Sequence, residues 1–234
     1  MVDVIKQFLR KAGIQVKHFP DRDQTSRQLA LKAFGINKIV DVGANTGQFA
    51  KEMRDHGFRG EIISFEPLSE AFKDLQKKAA KDHKWVIRNM AIGDSDGEIT
   101  INVSKNSQSS SILEMLPSHL KSAPESLYIN TEKVQIRRID TILPDFYKTG
   151  DSILLKIDTQ GYEKKVLDGA ETSLSKIIGI KLEMSLIPLY RDEVLFWDMV
   201  KFVENKGYKL YSLENTHFDP KNGQLLQVDG IFYK

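Results

Sequence analysis

The sequence contains no cysteine, so disulfides, thiolate metal sites and thiol nucleophiles are all excluded. It has no excess of either charge: 34 basic side chains face 32 acidic ones, for a formal net charge of +2. Such a balance gives no electrostatic ground for a nucleic-acid partner, which ordinarily shows as a basic face or domain. No apolar run approaches the roughly 20 residues of a membrane span. The first residues carry Asp3, Lys6 and Arg10 in place of the apolar core of a signal peptide. The expectation is a cytoplasmic protein with no membrane span and no nucleic-acid partner, and nothing points to a particular oligomeric state. Internal repeats are also missing, and the one low-complexity piece is the polar loop Ser104–Ser111. What is present is ordinary for a globular chain: 234 residues, 41% hydrophobic and 28% charged, enough for one sizeable core.

Val4, Ile5, Phe8 and Leu9 fall at helical spacing and predict a short amphipathic helix over 3–12. After a polar stretch from Lys17 to Ser26, Leu29, Ala30, Ala33 and Phe34 predict a second helix, stopped by Gly35. Residues 1–36 thus read as a helical extension, a packing arm or a linker, ahead of one domain over 37–234. Within that domain strands and helices alternate. Strands are expected at 38–42, 61–65, 84–90, 153–157 and 179–184, with two more at 98–103 and 133–139. Helices are expected at 47–56, 69–81 with Ser69 as N-cap, 166–177 and 194–205. In the last helix Phe196 and Trp197, with Phe202, are expected in the core. Such alternation predicts an α/β fold with a mostly parallel sheet and helices on both faces. The final strands, 208–213 and 225–233, are joined by a loop too short for a crossover helix, so they pair antiparallel.

Four turns follow strands of this sheet, where open α/β folds bind ligands. The first is Asp41-Val42-Gly43-Ala44-Asn45-Thr46-Gly47, a strand-to-helix loop whose glycines allow close backbone approach and whose helix offers free N–H groups. It lacks the G-x-G-x-x-G spacing of a pyrophosphate loop, and its leading Asp41 would repel a phosphate but can orient an ammonium. The second is Glu66 before Pro67, placed to accept both hydroxyls of a ribose. The third, Asn89 to Asp94, could let a base lie flat on the small Ala91, or be an ordinary turn. The fourth, Lys156 to Glu163, sets Asp158 at a strand end beside Gly161, with Lys156 on the same strand face. Glu163 either shares in the site or complements the helix dipole. Glu183, at the end of the next strand, should neighbour Asp158. Two carboxylates there suit a general base with a partner or a hard-cation site, and a salt bridge from Glu183 to Lys156 or Arg191 is the structural alternative. His217, expected in a rim loop, is a third candidate base.

The ordered set IVDVGANTGQFA, SFEP, NMAIGDSDGE, SQSSS, LLKIDTQGYE, VLDGA and VDGIFY resembles the FkbM-type methyltransferases over roughly residues 37–234. The resemblance implies a class I methyltransferase fold, with a seven-stranded, mostly parallel sheet ending in an antiparallel hairpin, and S-adenosylmethionine as methyl donor. It implies that Asp41, Gly43, Ala44, Asn45 and Gly47 meet the methionine part. Glu66 and Pro67 would then serve the ribose, Ala91 and Ile92 the adenine, with Ser109, Ser110 and Ser111 covering the site and Asp158 at the reaction centre. The family often carries Asp-Val-Glu-Gly where this chain has Asp158-Thr159-Gln160-Gly161, so one carboxylate of a metal cluster is missing. The resulting expectation is an O-methyltransferase acting on a sugar hydroxyl of a glycan or glycolipid. Asp158 is the first candidate base, Glu183 the second and His217 the third, and a divalent metal is possible but not favoured. The alternatives are a polyketide or other small natural product as acceptor, and a nucleoside-binding module without catalysis. An NAD-dependent oxidoreductase is disfavoured by the loop spacing and the hairpin. An amino-methylating nucleic-acid enzyme is disfavoured by the missing prolines after Asp158.

Overall fold

Short runs with nearly every side chain buried, such as Lys38–Val42 and Ile153–Ile157, can sit only in the middle of a sheet covered on both faces. The computed structural model, which describes Leu9, Gly13 and residues 21–234, builds around them. The helix expected over 3–12 lies, but for Leu9, outside the described residues.

In chain order the elements are α1 (Arg22–Ala33), β1 (Lys38–Val42), α2 (Gln48–Asp55), β2 (Glu61–Phe65), α3 (Ser69–Ala79) and β3 (Trp85–Arg88). Then come β4 (Ala91–Ile92), β5 (Gly97–Ser104), α4 (Pro117–Ser122), β6 (Tyr128–Arg137), α5 (Ile139–Ile142) and β7 (Ile153–Ile157). The chain closes with α6 (Glu163–Asp168), β8 (Ile177–Ser185), α7 (Phe196–Asn205), β9 (Lys209–Phe218) and β10 (Leu225–Tyr233). The main sheet has seven strands in the order β3-β2-β1-β7-β8-β10-β9. β10 runs antiparallel to both β8 and β9, and the remaining pairs are parallel. The order reverses between β1 and β7, the switch point outside which ligands bind in such sheets.

The strands expected at 98–103 and 133–139 are present and lie outside the main sheet: β5 and β6 pair antiparallel in a separate three-stranded sheet with β4. Their burial alternates, as suits strands with one wet face. Four other expectations need correction. The helix read at 166–177 is only α6 followed by a 3-10 turn at Ser173–Lys176. Gly169 lies so close to the backbone of Gly93 that a Cβ would stand 1.9 Å from its carbonyl oxygen, and Asp140 accepts from the Ser173 N–H at 2.8 Å. α1 starts seven residues earlier than its first apolar residue, Leu29, suggested, because Asp21 and Gln24 form a reciprocal capping box. Ser69 is the first helical residue of α3 and not its cap; its N–H donates to Glu132 at 3.1 Å. Trp197, expected in the core, is 73% exposed, while its neighbour Phe196 is buried.

Candidate functional site

A cavity of about 410 Å³ opens at the carboxyl ends of β1, β2, β7 and β8, in the size range of small-molecule sites. The loop after β1 forms one wall. Gly43, Asn45 and Gly47 all take left-handed φ values, 72°, 47° and 82°. At Gly43 glycine is obligatory, because a Cβ would stand 1.8 Å from the carbonyl oxygen of Asp158. The loop is tied to β2 by the Gly43 and Ala44 N–H groups, which donate to the Phe65 carbonyl at 3.1 and 3.0 Å. Glu66, 4% exposed, accepts from the Asn45 N–H at 2.7 Å and from the Leu68 N–H at 2.9 Å. Burial raises its carboxyl to about 7 against the pull of these two donors. Pro67, Ala91 and Ile92 also line the cavity.

Asp41 does not face this space. It is fully buried, accepts from the Ser64 hydroxyl at 3.0 Å and pairs with Lys156 at 3.1 Å. Lys156 in turn donates to the Gly43 carbonyl at 2.8 Å and stands 3.6 Å from Asp158. Burial pulls the Lys156 ammonium toward the neutral form, but Asp41 and Asp158 outweigh it and raise its pKa. Asp41 therefore supports the loop from behind, through Lys156, and does not line the cavity. The serine loop divides similarly. Ser107, Ser110 and Ser111 line the cavity, whereas Ser109 is buried behind it and accepts from the Ser126 hydroxyl at 2.9 Å.

Asp158 and Glu183 are brought together, as their places on adjacent parallel strands require. Between them lies the Gln160 amide, which donates to Asp158 Oδ1 at 3.0 Å and to Glu183 Oε2 at 2.7 Å. A second amide, Gln227, donates to the same Oε2 at 2.9 Å. No hydrogen bond is made to Glu183 Oε1 among the described residues, and no cation pairs with Glu183: Lys156 serves Asp41 and Asp158, and Arg191 serves Glu114. Burial and then the charge of Asp158 push the Glu183 carboxyl well above the usual range. Among the described residues no set of three or more His, Asp or Glu side chains could hold a metal ion. His217 is not in a rim loop. It sits on β9, because that strand runs on to Phe218, and its ring meets Ser122 at 3.2 Å and stacks on His119, away from the cavity lining.

The far wall was not read from the sequence. Arg27, Glu52, Lys181, Thr216 and Asp229 extend the cavity beyond Glu183. Arg27 of α1 binds Glu52 at 2.9 Å and Glu214 at 2.6 Å, and Lys181 pairs with Glu214 and Asp229. The cationic side chains are nearly covered, 9% exposed for Arg27 and 5% for Lys181, whereas Glu52 and Asp229 show 33% and 21%. The usable signal was two charges, Lys181 and Glu183, at alternate positions of an apolar strand, which puts them on one face.

Glu163 is not part of the lining. Its Oε1 accepts from the Thr159 N–H at 2.8 Å and from the Gly161 N–H at 3.3 Å, fixing the turn that carries Gln160. Burial raises its carboxyl to about 7, above its unfolded value, so the folded state holds more protons and stability falls as pH rises through that interval. Glu163→Gln keeps Oε1 as acceptor and removes the ionisation. It is expected to stabilise the protein by about 1–3 kcal/mol at pH 8 and by little at pH 4. Urea denaturation at the two pH values checks this, and equal destabilisation at both would contradict it.

A profile described as "Methyltransferase FkbM domain" matches residues 41–210. No curated protein sequence matches the chain. Among solved structures, the FkbM methyltransferase of Methylobacillus flagellatus is similar with TM-score 0.51 and 15% identity, over 83% of this chain and 43% of that one. The chain thus spans less than half the length of that protein. A putative RNA methyltransferase from Pyrococcus horikoshii gives TM-score 0.46 and 11% identity, over 93% of this chain and 88% of that one. Aeropyrum pernix fibrillarin, solved with S-adenosyl-L-methionine, gives 0.46 and 11%, over 87% and 74%. With a seven-stranded sheet ending in an antiparallel hairpin and a profile match across most of its length, the chain belongs to the FkbM methyltransferase family, whose methyl donor is S-adenosylmethionine.

Proposed function

We propose that the chain transfers a methyl group from S-adenosylmethionine to a hydroxyl of a sugar in a glycan or glycolipid, and that residues 37–234 form the catalytic domain while α1 of the 1–36 extension lends Arg27 to the acceptor end. The observation that carries this reading is one continuous cavity. It runs from Glu66, Ala91 and Ile92, past Asp158 and Glu183, to a wall rich in hydrogen-bond acceptors. The residues fit the donor: Glu66 can accept from a ribose diol, Ala91 and Ile92 offer an apolar surface for a base, and the carboxylates outnumber the cations around a space that must take a sulfonium. When bound, the donor supplies a methyl group already activated by positive charge on sulfur. The protein's own work is alignment of the acceptor oxygen, which can supply about 7–11 kcal/mol, and removal of its proton. Glu183 suits the second task because it lines the cavity, both of its hydrogen bonds among the described residues go to Oε2 and not Oε1, and no cation pairs with it. Asp158, at the end of β7, suits stabilising the charge at the transferring carbon.

Five lining carboxylates, Glu52, Glu66, Asp158, Glu183 and Asp229, face three cations. Each cation already touches two carboxylates, Lys156 with Asp41 and Asp158 among them. Such a lining matches a ligand with many O–H donors and opposes phosphate or carboxylate groups. With labelled donor, neutral glycosides are expected to be methylated at least about tenfold faster than their phosphorylated or uronate counterparts. Labelling only of a polyketide-type phenol, or preference for anionic sugars, would contradict the sugar reading. Because the Gln160 amide bridges Asp158 and Glu183 where a cation would otherwise sit, turnover is expected to survive exhaustive EDTA treatment. Loss in chelator with recovery on adding Mg²⁺ would make Asp158 and Glu183 metal ligands instead.

A further inference from the structure

Gln160 lies in the turn between β7 and α6 with φ of 56°, a left-handed conformation that residues with a Cβ rarely hold without a reason. Every polar group beyond its N–H is engaged. Its backbone carbonyl accepts from the Ser111 hydroxyl at 2.7 Å. Its side-chain Oε1 accepts from the Tyr190 hydroxyl at 2.7 Å, and Tyr190 is 1% exposed. Its Nε2 donates one bond to Asp158 and one to Glu183. Carboxylates can only accept, so the amide orientation is dictated by its partners, and the buried phenol locks it. Two carboxylates in one cleft repel, and one of them ordinarily takes up a proton or the pair recruits a cation. Here two N–H dipoles of a single amide stand between them.

We propose that Gln160 is a positioning residue: its amide holds the Asp158–Glu183 pair in place of a cation, saturates Glu183 Oε2 together with Gln227, and leaves Oε1 as the atom that receives the acceptor's proton. This rests on the methyl-transfer reading above. As the new oxygen–carbon bond forms and the carbon–sulfur bond breaks, the bonding pair stays on sulfur and the hydroxyl proton passes to Oε1. Tyr190 contributes at one remove, by fixing which end of the amide faces the carboxylates.

The test needs no acceptor. Protein labelled with ¹³C at Asp and Glu carboxyl carbons is loaded with S-adenosylhomocysteine and titrated by NMR. In Gln160→Met, which keeps the volume and removes both donors, the Glu183 midpoint is expected to rise by about one pH unit or more. Distant carboxylates such as Glu98 should not move. Tyr190→Phe, which frees the amide to turn, is expected to give a smaller rise, and it stands in if the methionine variant does not fold. A Glu183 midpoint unchanged in both variants, or in the only one that folds, overturns the proposal. Failure of every sugar to accept a methyl group would overturn the O-methylation reading and leave this titration untouched.

Discussion

Replacing Lys156 by methionine is expected to destabilise the protein by about 3–5 kcal/mol, the usual cost of leaving one partner of a buried ion pair alone. Methionine fills nearly the same space, so the loss is electrostatic. Asp41 has no exposed surface, and without the ammonium at 3.1 Å its charge keeps only the Ser64 hydroxyl, itself held by the Trp85 indole at 2.9 Å. The same ammonium holds the Gly43 carbonyl at 2.8 Å, so the loop wall should loosen as well. Adding Asp41→Asn to Lys156→Met removes the orphan charge and is expected to restore most of the lost stability, since a buried pair replaced on both sides is often near neutral. Urea denaturation of the two variants measures this. A single variant within about 1 kcal/mol of the wild type would show that Asp41 is not held by Lys156 in the way described.

The second large effect concerns turnover. Glu183→Gln is expected to lower kcat by about 10²–10⁴, the range supplied by a positioned base. Glutamine can still accept the bonds from Gln160 and Gln227 with its one oxygen, but its other atom is a donor and cannot take a proton. Asp158→Asn is expected to keep the fold and most donor affinity and to lose at least about tenfold in kcat. Because burial and Asp158 raise the Glu183 carboxyl and the base must be ionised, activity should climb with pH through a midpoint above the ordinary glutamate range. Turnover of Glu183→Gln within a few-fold of wild type at saturating acceptor would move the base role to Asp158.

Much of this was legible in the sequence because it depends on local rules. The glycine loop after β1, Glu66 closing β2 and the hairpin of β9 and β10 each follow from short-range patterns of apolar runs, turns and strand spacing. Asp158 and Glu183 could be paired because both end adjacent parallel strands. What escaped depends on register and direction. Asp41 looks like a cavity residue in the sequence, yet strand alternation and Lys156 turn it beneath the floor. His217 looked like a loop residue, because nothing local announces that β9 runs on to Phe218. Arg27 comes from a helix more than a hundred residues away from its partner Glu214, and Tyr190 reaches Gln160 across the site. No local pattern encodes such contacts. Gln160 was visible as the missing carboxylate of a motif, but its role as a bridge needed both strands in place.

The most direct test of the central reading is calorimetric titration of S-adenosylmethionine into the protein and into Glu66→Ala at pH 6 and pH 8. Glu66 is raised to about 7, and in the proposed reading its ionised form is the one that accepts from the ribose hydroxyls. Wild-type affinity is therefore expected to strengthen by up to about tenfold between the two pH values. Glu66→Ala should bind at least about tenfold more weakly at pH 8 and lose that pH dependence, and NAD should give no heat in either protein. Donor affinity unchanged in Glu66→Ala, or tight NAD binding to the wild type, would contradict the reading of this cavity as the methyl-donor site.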